Sequence, residues 1–204
     1  MRSSTEVADD WADRWKQFQR PVDVGPLRVR PPWEPARADA DIDLVIDPGQ
    51  AFGTGGHHTT RLCLELLLEL EPGGGLVDLG CGSGVLAIAA ARLGWSPVLG
   101  VDFDPLAVEA TADNARVNGV QVQAERVDLR ERAAPSATTV VANLLRPLLL
   151  ALRFDVVPDR LIVSGLLRTE ADEVAAHLRD TFGLAERRRA EGGDWAAILL
   201  ERGD

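Results

Sequence analysis

The stretch from Leu76 to Gly84, Leu-Val-Asp-Leu-Gly-Cys-Gly-Ser-Gly, constrains the fold more than any other part of the chain. A short apolar run ends in three glycines spaced two residues apart, and the helix-forming stretch Val85 to Leu93 follows at once. This order predicts a strand, a tight turn and a helix start. Glycines let the backbone adopt positive φ and approach a ligand closely, and a helix N-terminus presents unpaired N–H groups. The sequence therefore predicts a ligand site at the end of this strand, where open α/β sheets bind ligands.

Two acidic residues accompany the glycines. Asp78 lies two residues before the first glycine, and Asp102 lies near the end of the next predicted strand, Val98 to Phe103. The dinucleotide pattern G-x-G-x-x-G does not fit, because the third glycine comes one residue early. Asp102 lies close to the offset of ~20 residues at which an acid meets a ribose hydroxyl. The pattern Asp-x-Gly-x-Gly-x-Gly resembles motif I of class I S-adenosylmethionine (SAM) methyltransferases. This resemblance implies a SAM site that includes Asp78, Gly80, Gly82, Gly84 and Asp102.

Composition argues against several partners. The net charge of −10 and the pI near 4.8 argue against a nucleic acid substrate, since phosphate binding needs a basic surface. No apolar run is long enough to span a membrane and the N-terminus has no apolar signal-peptide core, so we expect a cytoplasmic protein without a membrane segment. The spacing of Cys63 and Cys81 fits no metal site, and His57 and His58 have no carboxylate or cysteine at a convincing ligand spacing. We expect no metal, and the sequence leaves the oligomeric state open.

Strand and helix patterns alternate along the rest of the chain. This alternation predicts an α/β fold, with a doubly wound, mostly parallel seven-stranded sheet of the Rossmann-like class I methyltransferase type. Leu184 to Arg189 and Trp195 to Glu201 are predicted to close it as a C-terminal antiparallel hairpin. Thr169 is expected to cap the last helix, 169–181. Residues 1–40 are Pro-rich and are predicted to be an irregular lead-in segment, with the methyltransferase domain in residues 41–204.

Several stretches together resemble the PrmA family of bacterial ribosomal-protein methyltransferases. The loop 47–60, Asp-Pro-Gly-Gln-Ala-Phe-Gly-Thr-Gly-Gly-His-His-Thr-Thr, is similar to the family signature Asp-Pro-Gly-x-Ala-Phe-Gly-Thr-Gly-Thr-His-x-Thr-Thr. The resemblance extends over residues ~10–202. It implies methylation of amino groups on a ribosomal stalk-base protein. The other matching stretches are Trp11 to Trp33, Asp78 to Gly84, Val101 to Pro105 and Val141 to Leu145.

The resemblance also implies individual roles. Matched by motif, the SAM contacts are Thr60, Gly80, Asp102 and Asn143. Phe52 is expected to pack on the cofactor, with sealing of the loop as the alternative. Asp128, at the end of the third predicted strand, either binds the adenine amino group or caps a turn.

Two departures from the family pattern bear on the substrate. Gly56 stands where the family usually has Thr, and His58 stands where it usually has Pro. The family's small substrate-recruiting domain would precede Trp11, and only ten residues stand there. We therefore expect that the chain lacks this domain and that it acts poorly on the isolated ribosomal protein.

The expected reaction is in-line displacement of the SAM methyl group by an amine nitrogen. The cofactor supplies the electrophile, so the protein mainly orients and desolvates the reactants. A lysine amine in water has a pKa of ~10.4 and must first lose a proton. Asn143 is the candidate catalytic residue that would accept an amine N–H. A protein amine is the expected acceptor. The alternatives are a small-molecule N- or O-methyltransferase and a catalytically silent SAM-binding module.

Overall fold

The structure, a computed structural model, describes residues 20–47 and 56–203, which form two sheets. In the small sheet, an antiparallel pair of strands is extended by a third strand that runs parallel to the second. The second strand lies before the predicted boundary at residue 40 and the third lies after it. Because these two strands pair, the sheet joins the lead-in segment to the chain that follows. The three strands are β1 (Val22–Val24), β2 (Leu27–Arg30) and β3 (Ile42–Val45).

The large sheet has seven strands, five of which are parallel. Its order is β6-β5-β4-β7-β8-β10-β9; the pairings from β6 to β8 are parallel, and β10 pairs antiparallel with both β8 and β9. The strand order reverses between β4 and β7, which makes their carboxyl ends the switch point of the sheet. The predicted doubly wound sheet with a closing hairpin is confirmed. The strands are β4 (Leu76–Leu79), β5 (Val98–Asp102), β6 (Gln123–Arg126), β7 (Thr139–Asn143), β8 (Arg160–Leu167), β9 (Leu184–Gly192) and β10 (Trp195–Arg202).

Helices cover both faces of this sheet. One apolar core lies between the sheet and α1 and α2, and the other lies between the sheet and α4 and α5. Strand β7 shows the division, because Val141 belongs to the first core while Val140 and Ala142 belong to the second. A strand buried on both faces is expected to be apolar at successive positions, as β7 is. The helices are α1 (His58–Leu68), α2 (Val85–Leu93), α3 (Pro105–Val117), α4 (Arg146–Leu150) and α5 (Ala171–Phe182).

The prediction that Thr169 caps the last helix is wrong. Arg168–Glu170 form a single 3₁₀ turn, and α5 begins after it at Ala171. The carboxylate of Glu170 accepts a hydrogen bond from the backbone N–H of Leu167 at 2.8 Å. This bond closes the turn one residue beyond Thr169, so Thr169 lies inside the turn.

The third predicted strand is shorter than expected. The apolar alternation from Val120 to Val127 predicts a strand of eight residues, whereas β6 contains only Gln123–Arg126. It lies at the edge of the sheet, where three of its four residues are exposed.

Within the described residues, no helix is both long and apolar enough to cross a lipid bilayer.

Candidate functional site

The ends of three neighbouring strands build the site. Strands β5, β4 and β7 are adjacent and parallel, so Asp102, the glycine loop after β4 and Asn143 end at one edge of the sheet. Neighbouring strands are about 4.8 Å apart, which places the two outer strand ends roughly 10 Å from each other. The sheet thus puts the glycine loop between an acid and an amide.

The glycine loop needs its glycines for conformation and for space. Gly80, Gly82 and Gly84 have φ of 73°, 54° and 82°, in the left-handed region. A Cβ on Gly80 would lie 2.4 Å from the side chain of Leu144, and one on Gly84 would lie 2.9 Å from the side chain of Thr111. Any side chain at either position would be both strained and obstructed.

Asp102 binds this loop directly. One carboxylate oxygen accepts the backbone N–H of Gly82 at 3.1 Å, and the other accepts the N–H of Asp104 at 3.0 Å. A carboxylate offers about four lone-pair positions. Each oxygen of Asp102 can therefore still accept a hydrogen bond from a ribose hydroxyl, which is the role predicted for this residue.

Asp78 is almost completely buried, with 1% of its surface exposed. One oxygen accepts the N–H of Ala87, in the first turn of α2, at 3.2 Å, while the buried Oδ1 has no hydrogen-bond partner among the described residues. Burial raises the pKa of Asp78 to about 7; the bond from Ala87 opposes this shift and the nearby charge of Asp102 adds to it. An acceptor of this kind is stabilised by a hydrogen-bond donor or by a cation.

Asn143 and Thr60, two of the predicted site residues, are in contact. The Asn143 side-chain amide donates to the hydroxyl of Thr60 at 3.4 Å. Thr60 is 2% exposed and lies in the first turn of α1, whereas Asn143 is half-buried at the end of β7. With its nitrogen toward Thr60, Asn143 has its carbonyl oxygen for another donor.

Asp128 has the geometry of a turn cap. Its Oδ1 accepts the N–H of Arg130 at 3.0 Å, and the guanidinium of Arg130 binds both of its oxygens, at 2.8 and 2.6 Å. These bonds lower the pKa of Asp128 to about 2. The same guanidinium lies 5.2 Å from the ring centroid of Phe103, which is 57% exposed. Adenine binding by Asp128 stays a prediction, and it would have to share this carboxylate with Arg130.

The two histidines have structural contacts. The imidazole of His57 caps α1, with Nδ1 accepting from the N–H of Thr59, and its ring meets Trp195 edge-on at 4.9 Å. Burial, followed by the neighbouring His58, lowers the pKa of His57. His58 lies against the turn between β9 and β10, close enough that a Cβ on Gly192 would be 3.6 Å from its Nδ1. Phe52 lies outside the described residues.

Helix α3 contributes polar groups that the sequence alone did not indicate. The hydroxyl of Thr111 lies 3.1 Å from the carbonyl oxygen of Gly82, and the amide of Asn114 donates to the carbonyl oxygen of Ser83 at 2.9 Å. Thr111 and Asn114 are 0% and 3% exposed. Polar residues on the buried side of an amphipathic helix are the signal that could have found them.

Within residues 20–47 and 56–203, there is no group of three or more side chains that could hold a metal ion.

Comparison with known proteins gives one family. The sequence profile of the family "Ribosomal protein L11 methyltransferase (PrmA)" matches residues 2–203. The ribosomal protein L11 methyltransferase of Pelotomaculum thermopropionicum is 44% identical and covers 97% of this chain; that of Caldanaerobacter subterraneus is 37% identical and covers 95%. This chain spans 67% and 65% of those two proteins, about two thirds of their length.

A solved structure agrees with the sequence comparisons. The ribosomal protein L11 methylase of Lactobacillus delbrueckii superimposes with a TM-score of 0.78 at 26% identity, over 91% of this chain and 100% of that one. The predicted class I methyltransferase fold and the predicted PrmA-like methyltransferase are both confirmed. The chain belongs to the ribosomal protein L11 methyltransferase (PrmA) family.

Proposed function

We propose that this protein binds SAM at the switch point of its large sheet and methylates an amino group of a protein. The observation that carries the proposal is the position of the glycine loop between Asp102 and Asn143 on three adjacent strands. The relatives are methyltransferases of a family that uses SAM, and this arrangement of a glycine loop, an acid and an amide supports the same cofactor here.

The charges at the loop favour SAM over a dinucleotide. Asp78 and Asp102 are close enough for the charge of one to raise the pKa of the other. SAM carries a sulfonium and an ammonium cation, which two carboxylates attract, whereas a pyrophosphate would be repelled. Asp78 is buried and contributes its charge, and the two oxygens of Asp102 offer acceptors to ribose hydroxyls.

Asn143 is proposed to orient the acceptor. When bound, SAM supplies an electrophilic methyl group. The carbonyl oxygen of Asn143 accepts one N–H of the neutral amine, which directs the nitrogen lone pair into the site, while Thr60 holds the amide in that orientation. Burial of the amine lowers its pKa and favours the neutral form. We propose that the proton is lost to solvent.

The acceptor proposed first is ribosomal protein L11, because the relatives are named for it. The expectation that the isolated ribosomal protein is a poor substrate stays a prediction, and one assay decides both questions. The protein is incubated with methyl-labelled SAM and, in parallel, with purified L11, with ribosomes and with cell lysate. Label in L11 or in another protein band supports the proposal.

Two outcomes of this assay would contradict the proposal. Label only in the small-molecule fraction would indicate a small-molecule methyltransferase, and no label would indicate a silent binding module. Calorimetry with SAM and with NAD tests the cofactor independently. Tighter binding of NAD than of SAM would end the assignment of the glycine loop to SAM.

A further inference from the structure

Two asparagines, Asn114 in α3 and Asn118 directly after it, bind the backbone at the end of β3 and just beyond it. Asn118 exchanges two hydrogen bonds with the backbone of Val45, at 2.9 and 2.7 Å, and Asn114 exchanges two with the backbone of Asp47, both at 3.0 Å. Four residues of a helix rise about 6 Å, and two residues of an extended strand span roughly 6.6 Å. The two side-chain amides therefore match the backbone spacing and bind it as a neighbouring strand would.

Only Asn114 extends this contact to the glycine loop. Its side-chain nitrogen donates to the carbonyl oxygen of Ser83 at 2.9 Å as well as to that of Asp47. One buried side chain thus joins the cofactor loop to the end of the small sheet. Asn118 makes its third hydrogen bond within α3, to the carbonyl oxygen of Asn114 at 2.7 Å.

Asn114 adds to the hydrogen bonds that hold the glycine loop. Ser83 lies between two glycines, whose backbones rotate with little steric hindrance. Because a peptide unit is planar, the orientation of a carbonyl fixes the N–H on the opposite side of the same unit. Thr111 binds the carbonyl oxygen of the Gly82–Ser83 peptide unit. The Ser83–Gly84 unit is held on both sides, because Asn114 donates to its carbonyl oxygen and its Gly84 N–H donates to the carbonyl oxygen of Cys81 at 2.8 Å.

We propose that Asn114 is a positioning residue for the cofactor, which holds the peptide units around Ser83 in the orientation that binds SAM and fixes them to the small sheet through Asp47. This inference rests on the proposed function. It predicts that loss of Asn114 weakens SAM binding by more than the accompanying loss of stability would suggest. The role follows from the contacts of a helix that carries none of the predicted site residues.

The test compares Asn114→Ala with Asn118→Ala. Each substitution removes one paired contact with the backbone of residues 45–47, but only the first removes a hydrogen bond to the carbonyl oxygen of Ser83. We expect the dissociation constant for SAM to rise tenfold or more in Asn114→Ala and to stay within about threefold of wild type in Asn118→Ala. In turnover, the KM for SAM should rise in Asn114→Ala, while kcat at saturating SAM changes by less than threefold. Denaturant unfolding of both variants measures the structural loss that they share.

Asn114→Asp provides a second test of the same contact. It keeps the volume and the acceptor for the Asp47 N–H, but it loses both donors and turns a carboxylate oxygen toward the Ser83 carbonyl. Its SAM affinity should fall at least as far as that of the Ala variant, and it replaces that variant in the comparison if Asn114→Ala does not fold. Equal SAM affinities for the variants at positions 114 and 118 would overturn the inference and leave the proposed function intact. A wild-type protein that binds no SAM would instead overturn the proposed function, and this inference with it.

Discussion

At the scale of single residues, Asn143 is the one proposed to act on the reacting atoms. Its side-chain amide contacts the Thr60 hydroxyl at 3.4 Å and is half-buried, so Asn143→Ala removes a positioned acceptor without opening the core. We expect SAM affinity to be retained and methyl transfer to slow by about ten- to a thousandfold, since a lost positioning bond costs ~1.4–4 kcal/mol of barrier. Single-turnover transfer at saturating SAM measures this effect.

Thr60→Val is the matched control for Asn143. It keeps the shape of the side chain and removes only the hydroxyl that orients the amide. Its rate should fall less than that of Asn143→Ala, because the acceptor oxygen remains and is only less well held. A wild-type rate in Asn143→Ala would leave Asn143 as part of the scaffold.

Asp78 should make stability depend on pH. Its pKa is about 7 in the folded protein against 3.8 for the ordinary group, so the folded state holds a proton that the unfolded chain releases. This contribution is fully present below pH 3.8 and is lost as the pH rises through 7. In Asp78→Asn the titration is absent while an acceptor for Ala87 remains. As the pH rises from about 5.5 to 8, wild type should lose about 2 kcal/mol of unfolding free energy that the variant does not lose.

Urea unfolding at several pH values checks this expectation, because groups common to both proteins cancel in the difference. A difference that does not change with pH would contradict it. The same variant should bind SAM more weakly, since it removes a negative charge beside the proposed cation. A gain in stability together with a loss of function is expected for a residue placed for its ligand.

At the scale of elements, the start of α1 depends on the neutral form of His57. Nδ1 accepts the Thr59 N–H and lies 2.8 Å from the Thr59 hydroxyl, and a protonated ring could not accept there. Because the folded-state pKa of His57 is lowered, its contribution is present above pH 6.5 and is lost as the pH falls through the folded pKa. His57→Ala should cost about 1 kcal/mol at about pH 7.5, as the loss of an N-cap does.

His57→Asn separates capping from titration, since Asn is a good N-cap that carries no charge. We expect it to keep the stability of wild type at about pH 7.5 and to lose less than wild type between about pH 7 and 5. Denaturant unfolding across this range is the measurement. Identical pH profiles for the two proteins would show that His57 does not titrate with folding.

Strands and helices that have a local sequence pattern could be predicted from the sequence, whereas contacts between residues far apart in the chain could not. Apolar periodicity and glycine punctuation locate β4, β5 and the helices after them, because local pattern decides burial. The predicted start of α5 is wrong because Glu170 closes a 3₁₀ turn that contains Thr169, and the helix begins after it. Asn114 could not be found, since its partners Asp47 and Ser83 lie 67 and 31 residues away in the chain.

At the scale of the whole molecule, separate parts of the chain converge on the switch point. The small sheet reaches the glycine loop through Asn114, and the hairpin turn reaches α1 through His58. Strand β8 passes so close to the chain after Asn143 that a Cβ on Gly165 would lie 2.3 Å from the carbonyl oxygen of Leu144. A ligand that binds the loop therefore touches a structure that the whole fold holds in place, and it should stabilise that fold.

The final prediction concerns this stabilisation. A ligand that binds only the folded state, at about a hundred times its dissociation constant, adds about 2.7 kcal/mol. For a chain of 204 residues this amounts to a rise of roughly 5–10 °C in Tm. Asp102→Ala, with SAM binding about ten- to a hundredfold weaker, should retain only about 0.4–1.4 kcal/mol of that gain at the same SAM concentration. Thermal unfolding with SAM, with NAD and without ligand distinguishes the cases, because NAD should leave the Tm unchanged. A larger rise in Tm with NAD than with SAM would contradict the assignment of the site to SAM. A rise with SAM in Asp102→Ala equal to that in wild type would show that Asp102 does not bind SAM.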